Sequence, residues 1–371
     1  MKEKILITSA NGHVSFPAAK ELLAMGFQVR AFVRNPNSSG SKKLKELGAE
    51  LFVGDQNDIN DLRKSLKGVQ RAFYCSPPTN YHLSKTVAFV LAAEQEKLEH
   101  VVYLTQWLSS VDHHSPHSRE HWLADQVVKM HSKVKYTFVN PGLFAFTYFF
   151  TSPVVAHFGI LPTPIEGASQ GKVGLNAPPS DEDQGRVVAH ILKEPSSHAG
   201  KTYRPTGPKL ISFVDVANTF GKILGREVKV TEVSASRYLK SLNSFDAPSS
   251  SIKEHMIMNV PYYQDELRQN AFAFGTSAVT SIIKDLTGKE PDDFETIARK
   301  EFAKSPEMEP TLGNKMKAFK GFLKILFAKE PSVKKLKDKY NIPGSKTGYK
   351  FVQENPNWVK EHESQSNFVS I

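Results

Sequence analysis

Apolar runs alternate with amphipathic stretches over the first 140 residues. The short runs are rich in β-branched and aromatic residues, which is typical of strands, whereas Pro17–Met25 and Ile59–Leu66 have the apolar spacing of helices. Because strands joined through helices run parallel, this alternation predicts a doubly wound α/β sheet with helices on both faces. The predicted strands are Lys4–Ser9, Phe27–Val33, Glu50–Val53, Val69–Cys75, His100–Thr105 and Lys135–Val139.

The rhythm changes after Gly142. An aromatic segment containing prolines is followed by a predicted helix over Asp183–Leu192, a strand over Lys201–Arg204 and a helix over Ser212–Leu224. Ser212 is a plausible N-cap for the last helix, and Gly225 follows its end. We therefore predict a first domain over 1–150, a smaller α/β lobe over 151–304 with some return to the first domain, and a Lys-rich helical extension over 305–371 with frayed final residues.

Composition indicates an ordinary globular protein of 371 residues. A single cysteine, Cys75, excludes an intramolecular disulfide, and no apolar run approaches the length of about 20 residues that spans a bilayer. We see no signal-peptide pattern and expect a cytoplasmic protein. Residues 314–340 contain nine lysines against two acidic residues, so this stretch carries seven of the ten net positive charges. The remaining chain has no concentration of positive charge that indicates nucleic-acid binding.

The turn after the first strand, "ITSANGHVS", has the layout of a phosphate-binding turn. Glycines in such turns allow a tight bend, close approach of a pyrophosphate and close helix packing, and the phosphates lie at the N-terminus of the next helix. Only the middle glycine, Gly12, is present, while Ser9 and Ser15 occupy the other two positions. Serine is small and its hydroxyl can donate to phosphate, so we predict that the turn still binds a dinucleotide. The predicted contacts from this turn are Thr8, Ser9, Asn11, Gly12, His13 and Val14.

The ends of the next two strands suggest which dinucleotide is preferred. Arg34 stands where a carboxylate selects an unphosphorylated ribose, and a guanidinium there pairs with a 2′-phosphate. We therefore predict NADP(H) in preference to NAD(H), the alternative being that Arg34 is a solvated surface residue. Asp55 and Gln56 follow the third strand and are predicted to border the adenine. Asp55 is equally suited to be a helix N-cap.

Several motifs together resemble one family. They are "ITSANG", "VRNP", "GDQNDINDLRKSLKGV", "NPGLF", "YRPTGPKLISFVDVANTFGKILGREV" and "DLTGKEPDDFETIARKEF". In order and spacing these motifs, over roughly residues 3–303, resemble the NmrA-like family of atypical short-chain dehydrogenases. The resemblance implies a Rossmann domain that binds NADP(H) and a small lobe that closes a substrate cleft. The family contains quinone and isoflavone-type reductases, and also proteins that bind the dinucleotide as a redox signal without turning it over.

Three further strand ends are expected to surround the nicotinamide, because ligands of such sheets bind outside the carboxyl ends of the strands. The predicted residues are Ser76, Pro77 and Pro78 after the fourth strand, Thr105 and Gln106 after the fifth, and Asn140, Pro141 and Gly142 after the sixth. The aromatic segment Phe144–Phe150 would then form an apolar wall, which suits a small apolar acceptor such as a quinone or an enone. Core packing is the alternative explanation for these aromatic residues.

A proton donor is less well defined. The string "YHLSK", from Tyr81 to Lys85, matches Tyr-x-x-x-Lys but follows the fourth strand, whereas the catalytic pair of short-chain dehydrogenases follows the fifth. On the helix after the fifth strand, His121 is the predicted proton donor, since histidine ordinarily titrates near neutral pH. Capping or packing of that helix is the alternative role. We predict no metal site in "DHHSPHSREH", because nothing elsewhere in the chain completes one with recognisable spacing.

The basic extension contains one amphipathic stretch, residues 314–329, in which apolar residues recur at helical spacing and lysines fall mainly on other faces. Such a helix either covers apolar surface of the same protein or lies on an anionic membrane as a peripheral contact. The whole sequence therefore predicts an NADP(H)-dependent reductase of a small apolar acceptor. A non-catalytic dinucleotide sensor that acts through a protein partner is the alternative.

Overall fold

A computed structural model describes residues 3–131, 133–244, 247, 249–342 and 348–363. Its main sheet has seven strands in the order β3-β2-β1-β4-β5-β6-β8, and all of their pairings are parallel. The predicted doubly wound parallel sheet is confirmed. Its strands are β1 Lys4–Ile7, β2 Gln28–Val33, β3 Glu50–Val53, β4 Arg71–Tyr74, β5 His100–Leu104, β6 Lys135–Val139 and β8 Thr202–Tyr203; β7 Ile160–Thr163 and β9 Lys229–Glu232 pair separately.

Helices follow the strands of the main sheet in the expected alternation. Those of the first domain are α1 Ser15–Ala24, α2 Ser39–Glu46, α3 Ile59–Leu66, α4 His82–Gln95 and α5 Pro116–Met130. Those of the second lobe are α6 Ser152–Phe158, α7 Asp181–Lys193, α8 Phe213–Leu224, α9 Ala235–Ser244, α10 Ser250–Arg268, α11 Ile282–Thr287 and α12 Phe294–Ala303. The extension contains α13 Leu312–Phe327, α14 Val333–Lys339 and α15 Pro356–His362.

The buried side chains form three apolar clusters. One cluster joins the sheet to α1 and α7, and a second joins its other side to α3 and α4, so both faces of the sheet are covered. The third cluster is the core of the second lobe. In that lobe, Ser212 caps α8 in a reciprocal capping box with Asp215, and Gly225 ends the helix with a φ of +65°. Both predicted helix boundaries are therefore confirmed.

Helix α7 is the return of the chain to the first domain. It packs along α1, and a Cβ atom added at Gly185 would lie 2.5 Å from Cβ of Pro17 and 2.6 Å from the amide nitrogen of Ala18. Only glycine allows the two helix backbones to come this close. This contact brings Asp181, at the start of α7, beside the turn that follows β1.

The extension has two parts with different environments. Helix α13 lies mostly in solvent, whereas the segment 348–363 packs into the second lobe through Trp358, which is buried against Trp107. The indole nitrogen of Trp358 donates to the carbonyl oxygen of Trp107 at 3.1 Å, and Asn355 donates to the hydroxyl of Ser110 at 2.8 Å. The predicted fraying covers the last ten residues, 362–371, but His362 is the buried last residue of α15 and is not frayed. Residues 364–371 lie outside the described residues. No helix in the part of the chain that the structure describes is long and apolar enough to cross a membrane.

Candidate functional site

The turn after β1 keeps the conformation that a glycine usually provides. Ser9 has a φ of +46°, in the left-handed region that non-glycine residues adopt at a cost of about 1–2 kcal/mol. Its hydroxyl donates to the carbonyl oxygen of Cys75 at 2.8 Å and accepts from the amide of Gln56 at 3.0 Å. Thr8 fixes the same strand end, because its hydroxyl accepts from the backbone amide of Cys75 at 2.8 Å. Hydrogen bonds to neighbouring strands therefore hold the turn in place of the missing glycine.

Position 12 favours glycine because the turn brings its backbone close to the carbonyl oxygen of Ser9. The amide of Gly12 donates to the carbonyl oxygen of Ser9 at 2.7 Å, and a Cβ atom at this position would lie only 3.0 Å from that oxygen. Ser15, in contrast, has room for its side chain, which is buried beside the thiol of Cys75. Burial raises the pKa of Cys75 to about 11, so this thiol is uncharged at neutral pH. The turn therefore keeps a glycine where the chain comes closest to itself, and it accommodates serine at the other two positions, 9 and 15.

Helix α1 begins directly behind this turn and has no side-chain cap. Its N-cap residue is Val14, whose side chain accepts no hydrogen bond. The amide of Phe16 already donates to the carbonyl oxygen of Gly12 at 2.9 Å, and Pro17 has no amide hydrogen, so an anion would meet the amides that precede Phe16. Uncapped N-terminal amides and the helix macrodipole favour a negatively charged group at this position. The turn and the helix start therefore favour a negatively charged group electrostatically.

The strand ends beside this turn form the second part of the site. Arg34 follows β2, is exposed, and has no ion-pair partner among the residues that the structure describes. The side-chain amide of Asn11 donates to the hydroxyls of Ser38 and Ser41, at 3.1 and 2.9 Å, and so joins the first turn to the start of α2. The cap of α3 is Asp58, whereas Asp55 accepts from the amide of Asn57 within its own turn.

The ends of β4, β5 and β6 come together at the same edge. The backbone amide of Thr105 donates to Val139 at 2.9 Å, and Gln106 donates to the phenol of Tyr263 on α10 at 2.8 Å. Asn140 is buried, and its side-chain oxygen has no partner within the described part of the chain. The remaining predicted residues here are the half-exposed stretch Ser76 and Pro77, the exposed Pro78, the buried Pro141, and Gly142, which is crowded by Asn176, Phe272 and Arg204.

Core packing, one of the two roles considered for the aromatic segment Phe144–Phe150, is found for its later residues, and its role as an apolar wall stays a prediction. The ring of Phe146 stacks on His13 with centroids 3.7 Å apart and an interplanar angle of 8°, and His13 also contacts the carboxylate of Asp181 at 2.6 Å. Tyr148 is buried, and Phe149 packs in the aromatic core of the second lobe. The first residues of the segment therefore border the turn after β1, and the later ones are core.

His121 lies in a buried group of four imidazoles, which we call the histidine cluster: His82, His117, His121 and His255. The ring of His121 stacks on His82 at 3.7 Å and meets His117 at 4.5 Å, and His117 meets His255 at 4.3 Å. Burial, with the neighbouring imidazoles, holds the pKa of His121 well below its ordinary value. The near-neutral pKa expected from the sequence is therefore not found, and His121 is an uncharged imidazole at neutral pH.

In the Tyr-x-x-x-Lys string, the lysine stabilises a loop and the tyrosine lies at the surface. Tyr81 is exposed, while the ammonium of Lys85 is turned away into the loop after β4, where it donates to the hydroxyl of Thr79 and to the carbonyl oxygen of Asn80. Among the described residues, no group of histidine, cysteine and carboxylate side chains has an arrangement that holds a metal ion.

Sequence reasoning missed the residues that α7 and α10 bring to the site. Asp181 and Tyr263 contact His13 and Gln106 from more than 150 positions away, and neither has a local motif. Arg204 is a buried guanidinium stacked 3.2 Å over the ring of Trp107, close to Gly142. The one signal available was Gly185, a glycine inside a predicted helix, which often marks a close helix contact.

Cavities elsewhere in the molecule do not overlap with this edge. One of about 350 Å³ lies between α9, α10 and α14, and one of about 200 Å³ lies between α8 and α12. Neither is lined by a residue predicted from the strand ends. The carboxyl edge of the main sheet therefore remains the candidate site on the strength of its backbone geometry and its polar groups.

Comparison with known proteins identifies the family and the fold. The model of the NmrA-like family matches residues 1–300. An NAD(P)H azoreductase of Xenophilus azovorans is 24% identical over 248 residues, covering 66% of this chain and 82% of the azoreductase. The NADPH-dependent quinone oxidoreductase QOR2 of Escherichia coli, complexed with NADPH, has a TM-score of 0.66 at 19% identity and covers 80% of this chain and 99% of its own.

A regulator has a similar structure. NmrA, a negative transcriptional regulator solved in complex with NADP, has a TM-score of 0.65 at 16% identity and covers 84% of this chain and 98% of its own. The chain belongs to the NmrA-like family, as its sequence motifs indicated. Oxidoreductases and a regulator are thus both among the proteins it resembles.

Proposed function

We propose that this NmrA-like protein binds NADP(H) along the carboxyl edge of its main sheet and reduces a small, flat, apolar acceptor such as a quinone or an enone. The observation that carries the proposal is the uncapped N-terminus of α1 behind the tight turn at Gly12, with Arg34 exposed and unpaired at the end of β2. These features are an anion site for a pyrophosphate and a cation for a 2′-phosphate. The NADPH-bound quinone oxidoreductase of similar fold and the azoreductase relative support the same reading.

The residues present fit the proposed cofactor. A Cβ atom at Gly12 would lie 3.0 Å from the carbonyl oxygen of Ser9, so glycine lets the turn close tightly in front of α1, whose start has no side-chain cap. At the other end of the edge, the buried side-chain oxygen of Asn140 lacks a partner among the described residues and is able to accept from a carboxamide. When bound, NADPH supplies a hydride ion. The chain holds the phosphates through backbone amides and the 2′-phosphate through Arg34.

Quinone reduction makes the smallest demand on these side chains. One hydride and one proton convert a quinone to a hydroquinone, and the proton is available from water because the product oxyanion is weakly basic. The rings of Phe144 and Phe146 pack together and are half-buried, and one face of Phe146 is covered by His13, so a flat apolar acceptor would contact the surface of these rings that stays exposed. An enone or a carbonyl compound needs a placed donor instead, and the role of His121 there stays a prediction.

A non-catalytic NADP(H) sensor is the second candidate. It is favoured by the uncharged, buried state of His121 and by the use of Lys85 to hold a loop, which leave α5 without an evident charged acid. The similar structure of NmrA, a negative transcriptional regulator in complex with NADP, supports this candidate. The two candidates share the cofactor site and differ in whether the cofactor is oxidised.

Arg34→Ala should weaken NADPH binding by about 10- to 100-fold and leave NADH binding nearly unchanged, because a charge-assisted pair contributes about 1.5–3 kcal/mol. Fluorescence titration of the reduced cofactors measures both affinities. Arg299→Ala, which removes an exposed arginine on α12, is the matched control and should alter neither affinity. Equal losses for NADPH and NADH would remove Arg34 from the 2′-phosphate site.

Purified protein should oxidise NADPH fastest with quinones in a panel of quinones, enones and aldehydes, followed by the loss of nicotinamide absorbance. If His121 donates a proton, His121→Gln should slow an enone by about 100-fold or more and leave quinones almost unaffected. His255→Gln alters the same cluster from α10 and controls for repacking. Absence of oxidation above the enzyme-free rate with every acceptor, in protein that binds NADPH, would favour the sensor.

A further inference from the structure

Helix α13 exposes an apolar face of unusual size. Fifteen large hydrophobic residues of the described chain are exposed, and six of them lie on this one helix. The others are distributed over separate elements, which is normal for a protein surface. The six residues and their exposed fractions are Leu312 76%, Met316 53%, Phe319 49%, Phe322 47%, Leu326 49% and Phe327 81%.

The exposed face belongs to a helix that is attached along its opposite side. Thr311 caps α13, and the side chain of Asn314 donates to the carbonyl oxygens of Pro306 and Glu309 at 2.9 and 3.2 Å. Ala318 is buried where α13 packs against α6 and α9. The helix therefore already has its contact with the protein, and the face with the larger side chains is turned away from it.

Positive charge accompanies this face. Lysines occur at 315, 317, 320, 324 and 329, and the stretch from 310 to 329 contains no aspartate or glutamate. At about 100° per residue, Lys315 projects just inside one edge of the apolar face, between Phe322 and Leu326, and Lys317, Lys320 and Lys324 project beyond the other edge. Long lysine stems at such borders are able to extend over apolar surroundings while the ammonium stays in water.

We propose that α13 is a docking surface for an anionic phospholipid bilayer. The helix lies in the plane of the headgroups, its phenylalanine, leucine and methionine side chains enter the outer acyl region, and its lysines contact anionic headgroups. The helix lies flat on the surface, since α13 has 16 residues and carries lysines on two sides. The family model matches residues 1–300, and α13 lies beyond that range.

A second copy of the chain fits the same face less well. In a twofold contact between two α13 helices, the lysine rows would approach each other without any acidic residue from either helix. Like charges brought together in a desolvated contact oppose association. A bilayer with anionic lipids offers both an apolar interior and negative charge, and it therefore satisfies the two features of the face together.

The test is flotation of the full-length protein with two kinds of vesicle, pure phosphatidylcholine and phosphatidylcholine with about 30 mol % phosphatidylserine. We expect binding to the anionic vesicles to exceed binding to the neutral vesicles by about tenfold or more, and to fall when salt rises from about 50 to about 500 mM. Phe319→Ser with Phe322→Ser should lower the partition coefficient at least about tenfold, as should Lys317→Glu with Lys320→Glu.

Matched variants elsewhere on the surface separate specific from general effects. Leu123→Ser with Met130→Ser removes exposed apolar residues from α5. Lys172→Glu with Lys289→Glu reverses two exposed charges. Each of these double variants should leave vesicle binding within about twofold of the parent protein. NADPH titration and the thermal unfolding midpoint check that every variant is folded. Equal binding to both vesicles, or no binding, would overturn the proposal. It would also be overturned by a stable dimer in light scattering that the α13 variants dissociate, since a second copy would then occupy the face.

Discussion

Lowering the pH from about 7.5 to about 5.5 should reduce the free energy of unfolding by several kcal/mol, because the histidine cluster is buried in its uncharged form. Burial is the main cause that holds the pKa of His82, His117 and His121 well below the ordinary value, and it lowers the pKa of His255 to about 4. The charge of Lys85 lowers the pKa of His82, His117 and His255 further.

The direction of the effect follows from proton binding. Below the ordinary histidine pKa of about 6.5, the unfolded chain binds protons that the folded cluster does not, so acid favours unfolding. Each histidine that stays uncharged contributes up to about 1.4 kcal/mol per pH unit, and four together approach about 5 kcal/mol per unit. Carboxylates with a lowered pKa, such as Glu50 and Glu254, act in a separate pH window. Their contribution to the free energy of unfolding is lost only as the pH falls below their ordinary pKa of 4.5.

Denaturant unfolding at fixed pH values, followed by tryptophan fluorescence, measures this slope. Replacing the four cluster residues by glutamine should lower the slope between about pH 6.5 and 5.5 without abolishing it, since burial also lowers the pKa of His100 to about 4 and of His362 to about 3. His131→Gln, at a partly exposed histidine paired with Glu94, should leave the slope nearly intact. An unfolding midpoint that does not move from about pH 7.5 to 5.5 would show that the cluster accepts protons while folded.

Trp358→Ala should lower the free energy of unfolding by about 3–5 kcal/mol, which is the usual loss for removing a buried tryptophan. The indole is 2% exposed, stacks on His362 at 4.2 Å, and donates to the carbonyl oxygen of Trp107. Because Trp107 follows Gln106 at the end of β5, this contact supports one wall of the candidate site. The segment 348–363 is therefore expected to be part of the folded second lobe.

Phe327→Ala is the matched control from the same extension. Phe327 is 81% exposed, so its removal should change the free energy of unfolding by less than about 0.5 kcal/mol. Chemical denaturation of the two variants beside the parent protein gives both values. Similar small losses for Trp358→Ala and Phe327→Ala would mean that the whole extension is attached only loosely.

The turn after β1 shows how far local sequence reasoning reaches. The predicted strand, the retained Gly12 and the start of the next helix are all present in the structure. What the local sequence did not contain is the support for Ser9, which comes from Cys75 just after β4 and from Gln56 after β3. A serine in a left-handed conformation is tolerated because residues about 50 to 70 positions away hold it.

The histidine at position 121 shows where the same reasoning ends. Its place on the helix after β5 was predicted, but its protonation depends on His82 from α4 and His255 from α10. Desolvation is a property of everything that surrounds a group, and no spacing along one helix reports it. The pKa of His121 therefore had to come from the packed structure.

The sequence by itself determined the doubly wound sheet and the family, since these depend on periodicity and on residues close together in the chain. Tertiary structure alone decided the rest. It placed Asp181 beside His13, Tyr263 on Gln106 and Trp358 on Trp107, and it left one face of α13 uncovered. These outcomes depend on which distant surfaces meet, and an amphipathic pattern is the same whether its apolar face is buried or exposed.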